Sequence, residues 1–187
     1  MFRIFARRRK TSATEEATSP NQSITPTEFA WRTHSAITDW TAKVDVKASI
    51  VLALETAIMG AVITLSGRDR PLSELHGWPL GVYRLGILLM AFGIAMAGLV
   101  VFPYLDRRGA KTQWRNGVIY FGHLRRWQPS ELADYLTALS TRNQLDILSR
   151  QLITTSKIAW TKHVRLQWSM LGAAVGALLF AISGWYG

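Results

Sequence analysis

Leu85-Gly-Ile-Leu-Leu-Met-Ala-Phe-Gly-Ile-Ala-Met-Ala-Gly-Leu-Val-Val-Phe102 has no polar side chain at any angle around a helix. A soluble helix of this length carries a polar stripe, so lipid is the solvent this stretch requires. Two further apolar runs flank it, Ala48 to Ser66 and Trp168 to Trp185. Each is close to the roughly 20 residues that cross a ~30 Å hydrocarbon core. The sequence predicts an all-α integral membrane protein with three transmembrane helices and a cytoplasmic helical layer formed by extensions of the first and third spans.

The 187 residues have room for one compact unit. Residues 1–24 read as a disordered basic and polar tail, because Thr11 to Ser23 offers almost nothing to bury. Residues 25–187 form one membrane domain: a cytoplasmic helix 26–47, a span 48–66, an outer loop 67–84, a span 85–103, a cytoplasmic segment 104–166 and a span 167–186. At Thr25-Pro-Thr-Glu28, Thr25 is placed to cap the first helix, Pro26 suits its first position and Glu28 completes a capping box. Phe29, Ala36, Trp40 and Val44 predict one buried face, and the helix runs straight into the first span as a rod of roughly 60 Å. Gly67, Pro71, Gly77 and Pro79 make the outer loop a tight reversal, and Pro103 ends the second span. Asp106 to Gly109 reads as a turn, and Val118 to Phe121 as a short extended or helical anchor. From Ser130 to Leu171 there is neither Gly nor Pro, and Leu132, Leu136, Leu139, Leu145, Leu148 and Leu152 begin a helical stripe that flows into the third span.

The chain is basic, with 22 Lys and Arg against 12 Asp and Glu and a net charge of +10. Lys43, Lys47, Arg107, Arg108, Lys111, Arg115, Lys157, Lys162 and Arg165 flank the spans on one side, and only Arg68, Arg70 and Arg84 on the other. The positive-inside rule then places the N-terminus and residues 104–166 in the cytoplasm, and the short loop and the C-terminus outside. Topology accounts for this basicity, so the bilayer and not nucleic acid is the expected partner. Trp78, Tyr83, Trp185 and Tyr186 mark one interface, Tyr104 and Trp168 the other. Cysteine is absent, which excludes disulfides and thiolate metal sites. Met1 to Lys10 lacks the apolar core of a signal peptide, so Ala48 to Ser66 is expected to direct insertion.

Glu55 stands out, because an ionised carboxylate in a span costs on the order of a few kcal/mol. It reads either as a polar element of a pore or protomer contact, or as a protonated Glu or one that reaches Ser49 or the cytoplasmic interface. Gly172-Ala-Ala-Val-Gly176 is a small-xxx-small motif, and Ala53, Ala57 and Ala61 form a second small-residue ridge. Both permit close helix packing, between protomers of a homo-oligomer or within one. His34, His76, His123 and His163 lie in separate segments without metal-ligand spacing. With no nucleophile elbow, phosphate loop or dinucleotide fingerprint either, the sequence predicts no catalytic, cofactor or metal residue and hence no enzyme.

The approach Val44-Asp-Val-Lys-Ala-Ser-Ile50, the Pro103 exit, Val118-Ile-Tyr-Phe-Gly-His-Leu124 and the Gln151 to Lys162 stretch form an ordered set over about residues 36–187. The set resembles the transmembrane effector family of Pycsar, the bacterial pyrimidine-cyclase system of antiphage resistance. Its motif positions are Asp45, Lys47, Ala48, Phe121, Gly122, His123 and Lys162. The resemblance implies a membrane-embedded executor: a partner pyrimidine nucleotide cyclase makes cyclic CMP or cyclic UMP during infection, the effector compromises the inner membrane, and abortive infection limits the phage. Some members carry a recognisable cyclic-nucleotide-binding domain, for which this chain has no room.

Two roles for the motif positions stay open. Asp45 can pair with Lys162 or Arg165 as a structural latch, or Lys47, Arg107, Arg108, His123 and Lys162 can surround a cyclic phosphate that relieves their mutual repulsion. The leading expectation is a nucleotide-triggered membrane effector, and the rival is a constitutive scaffold or regulatory subunit that docks a soluble partner on its cytoplasmic helices. A transporter is disfavoured by the odd number of spans and the lack of a second intramembrane charge.

Overall fold

The computed structural model describes residues 24–67, 72, 74–102 and 114–186. Helix α1 spans Pro26–Leu65 and α2 Trp78–Val101. A short 3₁₀ turn at Trp114–Asn116 precedes α3, Phe121–Leu124, then α4, Pro129–Thr137, and α5, Thr141–Tyr186. No strand occurs among the described residues, and α1, α2 and α5 are each long and apolar enough to cross a membrane. The protein is an all-α membrane protein with three candidate spans.

α1 begins as the sequence leads one to expect, with the Glu28 backbone N–H donating to Thr25 Oγ1 over 3.2 Å and Pro26 in the first turn. The capping box is only half built. The Glu28 carboxylate accepts from Arg32 at 2.7 Å, one turn along the helix. An arginine four residues ahead offers a charged donor, which outcompetes a neutral backbone N–H. The helix then continues for 40 residues, about 60 Å, into the first apolar run.

Of the face expected to be buried, Val44 is buried and Ala36 partly so, but the two aromatic residues are not. Phe29 and Trp40 are exposed, and Ala30, Val44, Ala48, Glu55 and Val62 are buried. Phe29 and Trp40 project outward, and Ala30 and Ala48 take inward positions on the face that Val44, Glu55 and Val62 share.

α2 starts seven residues before the apolar run does. Gly77 precedes it at φ +64°, a conformation that glycine adopts without strain, and Trp78-Pro79 form its first turn. The segment assigned to an outer loop thus ends in a helical turn that carries Tyr83 and Arg84. Tyr83 shares a hydroxyl–hydroxyl hydrogen bond with Ser66, tying α2 to the end of α1. Trp78 stacks at 5.3 Å on Tyr186, as residues of one interface should. Tyr104, Pro103 and the turn at 106–109 lie outside the described residues.

The helix expected without a break over 130–171 is interrupted at Ala138–Ser140. Ser140 Oγ accepts from the Asn143 backbone N–H, so the helix that follows the break is capped where it begins. Serine as a helix cap, not glycine or proline, makes this break. Val118–Tyr120 bends and Phe121–Leu124 is helical, which resolves the anchor of open type.

α5 is the hub. It packs most extensively on α2, then on α1, and the α1–α2 contact is the smallest of the three. α1 and α5 run parallel. Two apolar clusters fill the bundle, one around Val44, Ala48, Val100 and Leu166 and the other around Val62, Tyr83, Met90 and Phe180.

Candidate functional site

Glu55 lies between those two clusters. It is seven residues from both Ala48 and Val62 on the buried face of α1, and Ser169 is seven from both Lys162 and Gly176 on α5. Such seven-residue spacing keeps two parallel helices in contact along their length. It brings the two polar positions together. Glu55 is 2% exposed, Ser169 is fully buried, and Ser169 Oγ donates to Glu55 Oε1 over 2.6 Å. Glu55 Oε2 is buried and has no hydrogen-bond partner among the described residues.

The third wall is α2. A Cβ at Gly93 would lie 3.2 Å from Glu55 Oε1 and 3.0 Å from the Ser169 carbonyl oxygen, so only glycine leaves room for the carboxyl. Ser49 is not the partner; its hydroxyl donates to the Asp45 carbonyl one turn back. The Ser49 partner expected for Glu55 is thereby corrected. A hydroxyl six residues away on the same helix points elsewhere, and the nearest donor belongs to α5.

Magnitudes show that stability does not explain Glu55. An ionised carboxylate in a span costs on the order of a few kcal/mol, and one interhelical hydrogen bond in a membrane returns about 0.6 and at most about 1.7 kcal/mol. A buried side chain with one oxygen unsatisfied is worse than an apolar one of the same size.

Ten residues before Glu55, Asp45 Oδ1 meets Lys162 Nζ at 2.6 Å, making a second tie between α1 and α5. Arg165, the other candidate partner, donates to the Leu99 carbonyl oxygen at 3.3 Å, where the end of α2 leaves carbonyls without helical donors. Lys47 is exposed.

His123 is not brought to this pair. It stacks edge-on against Tyr120 at 5.2 Å, and its Nδ1 is buried without a partner among the described residues. Gly122 is buried beneath the Tyr120 ring, which any side chain there would strike. Phe121, Gly122 and His123 thus shape an aromatic turn. Arg107 and Arg108 lie outside the described residues.

The glycine motif is engaged within the chain. A Cβ at Gly172 would lie 3.1 Å from the Leu89 carbonyl oxygen, and one at Gly176 3.0 Å from that of Gly86. α2 and α5 therefore meet backbone to backbone. Ala53, Ala57 and Ala61 face outward.

Two features were not anticipated from the sequence. A cavity of about 180 Å³ is lined mainly by Trp31, Ile119, Leu136, Leu139, Ile147 and Leu148, where α1, the 118–120 bend, α4 and α5 converge. A more open cavity of about 490 Å³ lies between the starts of α1 and α5, with Pro26, Thr27, Arg142, Leu145, Asp146 and Ser149 among the residues on its walls. Of the expected nucleotide contacts, Lys47, His123 and Lys162 line neither. Leucine spacing alone does not reveal which turns of separate helices share a hole.

A family model described as the Pycsar effector protein domain matches residues 29–187. No curated protein and no solved structure matches the chain.

Proposed function

Since the chain belongs to the Pycsar effector protein family, and so serves as an effector in antiphage defence, we propose that it acts by impairing the inner membrane in response to cyclic CMP or cyclic UMP from a partner cyclase. The observation that carries this reading is Glu55, a carboxyl placed at an energetic loss among three apolar helices. A passive anchor has no use for such a group. An effector that must make lipid-spanning helices permeable does, because a polar atom buried in the resting bundle is available to water once the bundle opens.

The nucleotide's charge gives a route to opening. A cyclic phosphate drawn to Lys162, with Lys47, Arg107 and Arg108 as further cations, competes with Asp45 for the ammonium group and weakens a tie between α1 and α5. The reading takes the N-terminus and residues 104–166 as cytoplasmic, where a cyclase product is present, and the site as formed within a single-domain chain. Disruption is the output, and no catalytic step is involved.

The test compares membrane potential and propidium uptake in bacteria making the protein at low level, with and without an active pyrimidine nucleotide cyclase. Depolarisation is expected only with the active cyclase. Intact potential in both cultures, with the protein confirmed in the membrane, would reject the reading. In vitro, cyclic nucleotide binding unaffected by Lys162→Ala and Arg107→Ala would reject the nucleotide contact.

A second reading is supported by the exposed Phe29, Trp40, Ile153 and Trp160 on the extensions of α1 and α5. These aromatic and aliphatic groups suit a scaffold that docks a soluble partner. Harmless overproduction in the presence of every nucleotide signal would favour it.

A further inference from the structure

Glu55 is enclosed by helix contacts of two unlike kinds. α2 and α5 interlock through Gly86, Gly93, Gly172 and Gly176, with backbone atoms near van der Waals contact. Such surfaces separate or slide only with the loss of a whole packed seam. α1 joins this pair less extensively, through the Val44 and Val62 clusters and the polar ties Asp45–Lys162, Glu55–Ser169 and Ser66–Tyr83. Its own Gly60 points away from the bundle, with nothing within 4 Å of where a Cβ would stand. α1 is therefore the helix that can leave. It is also the one that carries motion inward, since Trp31 at the apolar cavity and Glu55 lie on one helix, 24 residues or about 36 Å apart.

The sign of the charge that departure uncovers is fixed by sequence. Glu55 is the sole ionisable side chain in the three apolar runs 48–66, 85–102 and 168–185. Resting on the reading of the chain as a membrane-impairing effector, we propose that Glu55 is a cation-binding carboxylate, occluded in this conformation by Ser169 and Gly93. Displacement of α1 from the α2–α5 pair exposes it to water, with the Ser169 hydroxyl as a second oxygen ligand. A carboxylate in a water-filled path attracts potassium and sodium and repels chloride. Dissipation of the membrane potential by monovalent cations follows.

Full-length protein in liposomes tests this without any trigger. Ser169→Ala removes the donor that holds Glu55 and is expected to raise potassium efflux roughly threefold to fifteenfold, the population shift that one interhelical hydrogen bond in a membrane supports. Chloride efflux should rise far less. Ser169→Thr, which keeps the hydroxyl, should stay tight. Glu55→Gln in the Ser169→Ala background should lose the preference for potassium over chloride. Tight Ser169→Ala liposomes would overturn the proposal, provided the variant elutes as wild type does in detergent. So would equal potassium and chloride leaks, or a preference that survives Glu55→Gln. In cells, a wild type silent to the cyclase beside a leaking Ser169→Ala would reject the nucleotide trigger and leave the cation gate standing.

Discussion

Lys162 Nζ and Asp45 Oδ1 sit 2.6 Å apart, joining positions 117 residues distant where α1 and α5 run parallel. The lysine is the more enclosed partner, with 16% of its side chain exposed against 40% for the aspartate. Burial of the ammonium makes a one-sided deletion costlier than loss of the pair itself. Asp45→Asn is expected to destabilise the detergent-solubilised protein by about 1 kcal/mol, and the exchange Asp45→Lys with Lys162→Asp should recover part of it. A double-mutant cycle on thermal unfolding reads the coupling. Coupling indistinguishable from zero would remove the pair as a tie between the helices.

Glycines in the same membrane bundle should behave oppositely according to what they face. At Gly176 a Cβ would press the Gly86 carbonyl oxygen at 3.0 Å and Met90 N at 3.2 Å, both backbone atoms that cannot step aside. Gly176→Val is expected to cost about 1–3 kcal/mol or to prevent assembly. Gly60 faces open space. Gly60→Ala should lie within about 1 kcal/mol of wild type, because helix propensity is the main quantity changed. Equal sensitivity at the two sites would mean that Gly60 is covered by another chain.

The membrane segments were legible because nothing but lipid accommodates Leu85 to Phe102, and the family was legible in the ordered motif around Asp45, Phe121 to His123 and Lys162. Glu55 could be singled out as an anomaly. Its partner could not, because Ser169 is an ordinary residue in an apolar helix, and only the parallel register of α1 and α5 makes it the donor. The break at Ser140 was hidden for a related reason: a serine cap has no signature as loud as proline or glycine. Phe29 and Trp40 misled because large apolar residues suggest burial, whereas close packing here selects Ala30, Ala48 and the α2–α5 glycines.

Leu148 is 2% exposed beside the apolar cavity that joins Trp31 to Leu136 and Leu139. Leu148→Ala enlarges a hole that already measures about 180 Å³, so the site can relax only partly, and a loss of about 2 kcal/mol is expected. The change should be local. Hydrogen exchange should quicken in residues 118–124 and 130–137 while the apolar core of α2 keeps its protection. Uniform loosening of all three spans would show that the extensions and the spans unfold as one unit.

Orientation gives the last check, and the absence of cysteine makes it clean. Glu74 lies in the connection between α1 and α2, and Ser156 on the extension of α5, both exposed. Positive charge is concentrated around the ends of the spans that carry the extensions, at Lys43, Lys47, Lys157, Lys162 and Arg165, and the proposed orientation, by the positive-inside rule, has those ends in the cytoplasm. Glu74→Cys should therefore react with a membrane-impermeant maleimide in cells whose inner membrane is intact, and Ser156→Cys only after that membrane is opened. The inverse pattern would place the Asp45–Lys162 pair outside the cell, beyond reach of a nucleotide made within it. The proposed trigger would then be untenable, whatever the bundle does to ions.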